Sequence, residues 1–224
     1  MSKHAWTGVF PAVTTQFRQD MTLDIEATSK HCEALIASGV SGLIMAGSLG
    51  ENQTLDPSEK RTLISEIVKM ASGRVPVLSG VAEMSTAAAC QYVRDCEKLG
   101  ANGFMVMPAM VYKAEGAEAM NHFRKVAAAT NLPWMLYNNP VGYPVDITPA
   151  QFSQLANIPN LVALKESSAN TRRITELRIE VGDRYSIFVG VDDLILESSI
   201  LGIDGWVAGS GIAFPKENQY FWNL

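Results

Sequence analysis

The sequence predicts an α/β chain folded as a (β/α)8 barrel. Three observations predict it. Short apolar runs alternate with helical patterns along the chain, which is the pattern of parallel strands joined by helices. Eight such units follow one another, the number a closed barrel needs. Polar and small residues collect where the apolar runs end, the edge at which a barrel carries its chemistry. An open, doubly wound sheet is the alternative. Eight regular units exceed what that fold needs, and no Gly-x-Gly-x-x-Gly follows the first run.

The units read in order. Residues 9–17 form the first β-like run, and 25–38 a helix with Leu23, Ala27, His31, Ala34 and Leu35 near one face, closed at Gly39. Residues 42–47 are the second strand, and 57–72 a helix with Pro57 at its start. Residues 75–81 are the third strand, and 86–99 a helix closed by Gly100. The fourth strand is 103–108, followed by a helix over 116–130. The fifth is 134–137, followed by a short helix over 149–156. The sixth is 161–167, with a helix from about 172 to 181. The seventh is 185–189, with a helix over 194–201. The eighth is 205–209, and a last helix begins near Pro215. A barrel sequence runs on past its eighth strand to finish the final helix. The sequence therefore predicts one barrel domain over 1–224 that stops short in or after helix eight.

Composition narrows the function classes. The chain has 224 residues, net charge −5 and 47% hydrophobic residues, enough for a large core. There is no basic stripe for nucleic acid and no apolar stretch long enough to span a membrane. With no leader-like N-terminus, the expected location is the cytoplasm. Cys32, Cys90 and Cys96 show no metal-like pairing and are expected as reduced thiols. His4, His31 and His122 are scattered away from the strand ends, which argues against a histidine triad or a zinc site.

The sixth strand, Leu161-Val-Ala-Leu-Lys-Glu-Ser167, is apolar and carries a lysine. Burying an unpaired ammonium is costly, and desolvation lowers its pKa until the neutral amine, a nucleophile toward carbonyls and imines, prevails. A lysine at a strand end can also keep its head in water. Tyr137 ends the neighbouring fifth strand. Adjacent strands lie about 4.8 Å apart, so the two side chains can meet, and a phenol beside an amine can shuttle the protons of imine chemistry. After the second strand, Gly47-Ser-Leu-Gly50 forms a turn of small residues whose backbone N–H groups could hold a carboxylate, with the Ser48 hydroxyl beside them. Glu51 is expected to cap the loop or the following helix, and at least one of Asp192 and Asp193 to cap the helix after strand seven. Met45, Met105, Met107 and Met135 are expected as core filler. The loops after strands four and five, 109–111 and 141–143, read as apolar.

Gly47-Ser-Leu-Gly-Glu51, Tyr137-Asn-Asn-Pro140, the Lys165 strand and Gly205-Trp-Val-Ala-Gly209 together resemble the dihydrodipicolinate synthase / N-acetylneuraminate lyase family over essentially the whole chain. The resemblance implies a class I Schiff-base lyase on a (β/α)8 barrel, a dimer or more usually a tetramer, needing no metal or organic cofactor. It implies Lys165 as the Schiff-base lysine, Tyr137 as proton relay with Ser48, and Gly47, Leu49, Asn139 and Val207 among the groups around a 2-oxo acid. Three departures stand out. The synthases carry an arginine soon after Tyr-Asn-x-Pro, where this chain has Val141-Gly-Tyr-Pro144. Their second loop hydroxyl is Leu49 here. Their tyrosine after the fourth-strand proline, which reaches a neighbouring subunit, has only Tyr112 nearby. The set Gly-Ser-Leu-Gly-Glu, Tyr-Asn-Asn-Pro-Val, Lys-Glu-Ser-Ser and Gly-Val-Asp-Asp looks most like the branch that deaminates 1-pyrroline-4-hydroxy-2-carboxylate, a cyclic imine carboxylate. The alternatives are an aldolase or dehydratase of 2-keto-3-deoxy sugar acids, a 4-hydroxy-tetrahydrodipicolinate synthase, and an inactive barrel that binds a 2-oxo acid.

Overall fold

The computed structural model describes residues 6–109 and 113–224. Among these residues eight parallel strands alternate with eight helices. The strands are β1 (Gly8–Val9), β2 (Leu43–Met45), β3 (Val77–Val81), β4 (Gly103–Val106), β5 (Trp134–Asn138), β6 (Leu161–Glu166), β7 (Ser186–Val189) and β8 (Gly205–Trp206). The helices are α1 (Ile25–Ala37), α2 (Pro57–Ala71), α3 (Thr86–Lys98), α4 (Gly116–Ala127), α5 (Pro149–Ser153), α6 (Arg172–Val181), α7 (Ile195–Ile200) and α8 (Pro215–Trp222). The sheet order β1-β8-β7-β6-β5-β4-β3-β2 makes every sequential pair neighbours. It closes through a parallel bridge from Ala12 to Ile44, where Val13 N donates to Ile44 O at 2.9 Å and Ile44 N to Pro11 O at 3.0 Å. This is the expected (β/α)8 barrel. The first strand is shorter than the expected run over 9–17: past Val9 the pairing with β8 and β2 continues only to Ala12 and Val13.

Side-chain alternation builds two cores. Residues pointing inward, including Phe10, Ile44, Leu78, Met105, Met135, Ala163, Phe188 and Val207, fill the barrel. Residues pointing outward, such as Leu43, Phe104, Trp134, Leu136 and Leu164, pack under the helices with Leu35, Ile64, Tyr92, Phe123 and Leu177. Met105, Met107 and Met135 are interior filler as expected, and Met45 sits in the outer layer with its sulfur against Cys32 Sγ. The thiols of Cys32, Cys90 and Cys96 are free, and burial pushes Cys32 up to about 12 and Cys96 to about 11. Caps fix several helix starts: Asp24 accepts from Ala27 N, Ser85 from Ala88 N and Thr148 from Gln151 N. At α2 the Glu59 carboxylate accepts from Asp56 N, so capping there is done by Asp56 and Glu59 and not by Glu51. Among the described residues no helix is long and apolar enough to cross a membrane.

The alternation also sorts the strand ends. Tyr137 and Lys165 share the inward parity of Met135 and Ala163. Asn138 and Glu166 have the opposite parity and face the helices.

Candidate active site

Lys165 and Tyr137 are register partners on β6 and β5. Each is only 6% exposed. Lys165 Nζ lies 3.9 Å from the centre of the Tyr137 ring, over its face. The amine therefore touches the ring, while the phenol oxygen turns away to accept from Asn139 Nδ2 at 2.9 Å. Burial lowers the Lys165 pKa from 10.5 to about 7, opposed by the nearby Asp192 charge. No carboxylate forms a salt bridge with it among the described residues. Space for its chain comes from Gly190, where a Cβ would lie 2.2 Å from Lys165 Cε.

Tyr137 is raised above its usual pKa by burial, and Asn139, Ser167, Ser48 and Tyr143 hold it back down. Ser167 Oγ is buried near this phenol, but without a well-formed hydrogen bond. The Ser48 hydroxyl is hydrogen-bonded to the hydroxyl of Tyr143. The Tyr143 ring stands edge-on to Tyr137, centroids 5.7 Å apart at 90°.

The loop after β2 is held from several sides. Thr15 Oγ1 donates to Gly50 O at 2.7 Å, and Asn52 Nδ2 to Ala46 O at 2.7 Å. Lys60 Nζ in turn donates to Asn52 Oδ1 at 2.9 Å and pairs with Glu83 at 3.1 Å. A Cβ at Gly50 would lie 2.8 Å from Val13 O, so the tight turn requires glycine there. The amides of Glu51 and Asn52 turn back to Ser48 O and Gly47 O. Those of Ser48, Leu49 and Gly50 have no acceptor among the described residues, so they remain available to an anion.

These groups meet in a cavity of about 340 Å³ at the C-terminal end of the barrel. Ser48, Leu49, Tyr137, Asn139, Lys165 and Val207 line it. Gly47, expected among the site residues, does not line it. Tyr143, Gly190, Asp192, Gly142 and Gly209 also line it and were not among the expected site residues. Two expectations are corrected. The loop after β5 reads as apolar, yet Tyr143 brings a hydroxyl into the site. Neither Asp192 nor Asp193 caps a helix with its side chain: Asp192 Oδ1 accepts from Trp206 Nε1 at 2.9 Å and Gly209 N at 3.1 Å, and Oδ2 from Ser210 N at 2.7 Å. Met110, Val111 and Tyr112 lie outside the described residues. The two described histidines are structural. His31 bonds Ile212 O, and His122 bonds Thr86 Oγ1 and Met107 O. A larger groove of about 640 Å³ lies at the opposite end, where Pro133 and Asn160 lead into β5 and β6, away from these groups.

The outward parity supplies a brace. Buried Asn138 donates through Nδ2 to Asp146 and to Glu166, each at 3.1 Å, and accepts from Ile147 N at 2.9 Å. Glu166 also accepts from Ser168 N at 2.7 Å, and Asp146 pairs with Arg173 at 2.8 Å. Burial raises the Glu166 pKa. This network ties β5 and β6 to α6 directly behind Tyr137 and Lys165.

Comparison with known proteins agrees with this geometry. The dihydrodipicolinate synthetase family profile matches residues 5–223. A 4-hydroxy-tetrahydrodipicolinate synthase of Sorangium cellulosum is 35% identical over 221 residues, 98% of this chain and 73% of its own. One from Desulforamulus reducens is 33% identical over 212 residues, 94% of this chain and 72% of its own. Among solved structures, the prophage protein YagE of E. coli K12, in complex with pyruvate, superposes with TM-score 0.94 at 28% identity, covering 98% of this chain and 75% of that one. The chain belongs to the dihydrodipicolinate synthetase family, whose members are lyases of the aldolase or dehydratase type that work through a lysine Schiff base.

Proposed function

We propose that this chain is a Schiff-base lyase for a compact 2-oxo acid or cyclic imine carboxylate. In this reading Lys165 is the imine-forming amine, Tyr137 the proton-transfer group and Ser48 its partner. The observation that carries the reading is the Lys165 amine: buried, brought to about 7, laid over Tyr137 and facing the cavity at the end of the barrel. The unpaired amides of Ser48 and Leu49 suit the substrate carboxylate, and Asn139 and Val207 complete the walls.

Within the family we favour the deamination and dehydration of 1-pyrroline-4-hydroxy-2-carboxylate. Among the described lining residues there is no arginine, and Lys165 is the single cation. That supports a substrate with one carboxylate over a pair of carboxylate substrates held together. Neutral Lys165 adds to C2, and the ring nitrogen leaves C2 as an amine, opening the ring. Loss of a C3 proton converts the iminium to a neutral enamine, which expels the 4-hydroxyl as water. Tautomerisation turns the C5 amine into an imine. Hydrolysis of both imines releases ammonia, 2-oxoglutarate semialdehyde and free Lys165. The iminium serves as electron sink throughout.

The second reading is 4-hydroxy-tetrahydrodipicolinate synthesis, favoured by the names of the 33–35% identical relatives. Two measurements separate them. Borohydride trapping with pyruvate and with the pyrroline, followed by peptide mapping, should place an adduct on Lys165. Turnover assays should give ammonia from the pyrroline and no condensation of pyruvate with aspartate semialdehyde. Condensation without ammonia release moves the chain to the second reading, and a folded protein that traps neither ligand overturns the Schiff-base assignment.

A further inference from the structure

The turn after β2 presents its amides to the cavity because its carbonyls are held on the other side. Across a trans peptide the C=O and the N–H point in opposite directions. Gly47 O is turned to Asn52 N and Ser48 O to Glu51 N, each at 3.2 Å. The N–H groups on the far side of those two peptides belong to Ser48 and Leu49, which line the cavity. The peptide before them is turned in the same sense, with Ala46 O accepting from Asn52 Nδ2 at 2.7 Å. Asn52 therefore holds the carbonyls of both Ala46 and Gly47, one with its side chain and one with its main chain.

The turn needs this hold. Ala46 and Glu51 have φ of 48° and 57°, a left-handed conformation that is costly for residues with a side chain. Ala46 O is also pressed against β3, where a Cβ at Gly80 would lie 2.2 Å from it. Asn52 Nδ2 reaches Gly80 O as well, at 3.3 Å, so one buried amide serves the ends of β2 and β3 together. Lys60 on α2 fixes that amide. An ammonium can only donate, so Asn52 Oδ1 faces Lys60 Nζ at 2.9 Å and Nδ2 is left for the carbonyls. Lys60 is itself buried, and Glu83 balances its charge through both carboxylate oxygens at 3.1 Å. A buried ion pair adds little net stability once desolvation is counted. What this one does is orient Asn52. Neither Asn52 nor Lys60 lines the cavity.

We propose that Asn52 and Lys60 are the positioning residues of the carboxylate site. Lys60 sets the Asn52 amide, and Asn52 sets the turn whose Ser48 and Leu49 N–H groups hold the substrate carboxylate. The proposal rests on the roles given above to Lys165 and to this turn. Neither residue bonds the substrate, so their loss weakens the hold on a carboxylate and leaves the amine in place.

The test compares pyruvate with methyl pyruvate, which keeps the ketone and lacks the charge. Each is trapped on Lys165 with borohydride across a range of concentrations. In the wild type, pyruvate should trap at lower concentration than the ester. Asn52→Ala should raise the pyruvate concentration for half-maximal trapping by about tenfold or more, as the loss of aimed hydrogen bonds to a charged group does. Maximal trapping and the ester curve should stay where they are. Lys60→Met combined with Glu83→Gln removes the two buried charges together. It should shift the pyruvate curve in the same direction and again spare the ester, and it reads the proposal from outside the turn if Asn52→Ala does not fold. A pyruvate curve that stays in place in either folded variant overturns the proposal. So does an equal shift for acid and ester, since the two residues would then support the whole cavity and not its carboxylate site. A wild type that traps acid and ester equally well removes the carboxylate from the turn, and the proposal falls with it. A wild type that traps neither on Lys165 defeats the Schiff-base assignment itself.

Discussion

Gly190 stands where a Cβ would lie 2.2 Å from Lys165 Cε and 2.3 Å from Ser167 Oγ. The backbone of β7 therefore ends without a side chain so that the β6 lysine can reach the cavity. Gly190→Ala should keep the fold, since the clash is with a side chain and not with the sheet. It should push the amine off the Tyr137 ring and reduce pyruvate trapping by about 100-fold or more, as misplacement of a reacting group by an ångström does. Trapping at wild-type rates would show that the lysine has another route into the cavity.

The buried amine fixes a pH profile. Its pKa of about 7 means that the nucleophile is neutral above that value and protonated below it. The kcat/KM of the first covalent step should fall about tenfold per pH unit below 7 and level off above it. An acid limb centred near 10 would instead mean a solvated lysine.

The same shift predicts a stability effect. Between about 7 and 10.5 the unfolded chain keeps the Lys165 proton and the folded chain has lost it, so wild-type stability rises with pH across that window. Lys165→Met removes the penalty. It should raise stability at pH 7 by a few kcal/mol, at about 1.4 kcal/mol per pKa unit, and the gap to wild type should narrow as pH approaches 10.5. Denaturant melts of both proteins at several pH values measure this directly. A gap that stays constant or widens with pH would contradict it.

The barrel was legible because each strand is a short apolar run and each helix carries its own punctuation. The helix at Arg172–Val181 falls where the pattern puts it, and other boundaries shift by a residue or two at most ends. Lys165, Tyr137 and Ser48 were legible because each sits at a strand end with chemistry that is unusual for its surroundings. Tyr143 was hidden because it lies between valine, glycine and proline in a turn, and only the Asn139 bonds aim its hydroxyl back at Ser48. The expected cap by at least one of Asp192 and Asp193 rests on the habit of acids before helices, and neither side chain caps one here. The real partners of Asp192, Trp206, Gly209 and Ser210, come from the next strand and loop, which no local pattern reveals.

Asp192 therefore couples the end of β8 to the amine. It is the charge that opposes the burial effect on Lys165. Asp192→Asn removes that charge, so the Lys165 pKa should drop further and the acid limb of kcat/KM should move to lower pH. The variant should also lose stability by about 1–3 kcal/mol if an amide N–H comes to face Gly209 N or Ser210 N, leaving donors unpaired. An acid limb that stays in place would remove Asp192 from the electrostatics of the site.

Asn138 tests the brace behind the site. Its amide bonds Asp146, Glu166 and Ile147 N from a position that is almost fully buried. Asn138→Ala leaves the buried Glu166 carboxylate and Ile147 N short of a partner, while the exposed Asp146 keeps Arg173. The expected cost is roughly 3 kcal/mol or more, since each buried polar group left unpaired costs about 1–3 kcal/mol. Asn138→Asp should be worse. It replaces the donor between Asp146 and the buried Glu166 with a third carboxylate, where Arg173 already pairs with Asp146. Lowering the pH should recover more of the Asp variant's loss than of the Ala variant's, because in the Asp variant protonation restores a donor at 138, while in the Ala variant it only relieves Glu166. Thermal melts across the acid range decide the matter. Equal recovery in both variants would mean that Asn138 fills space and does not balance charge.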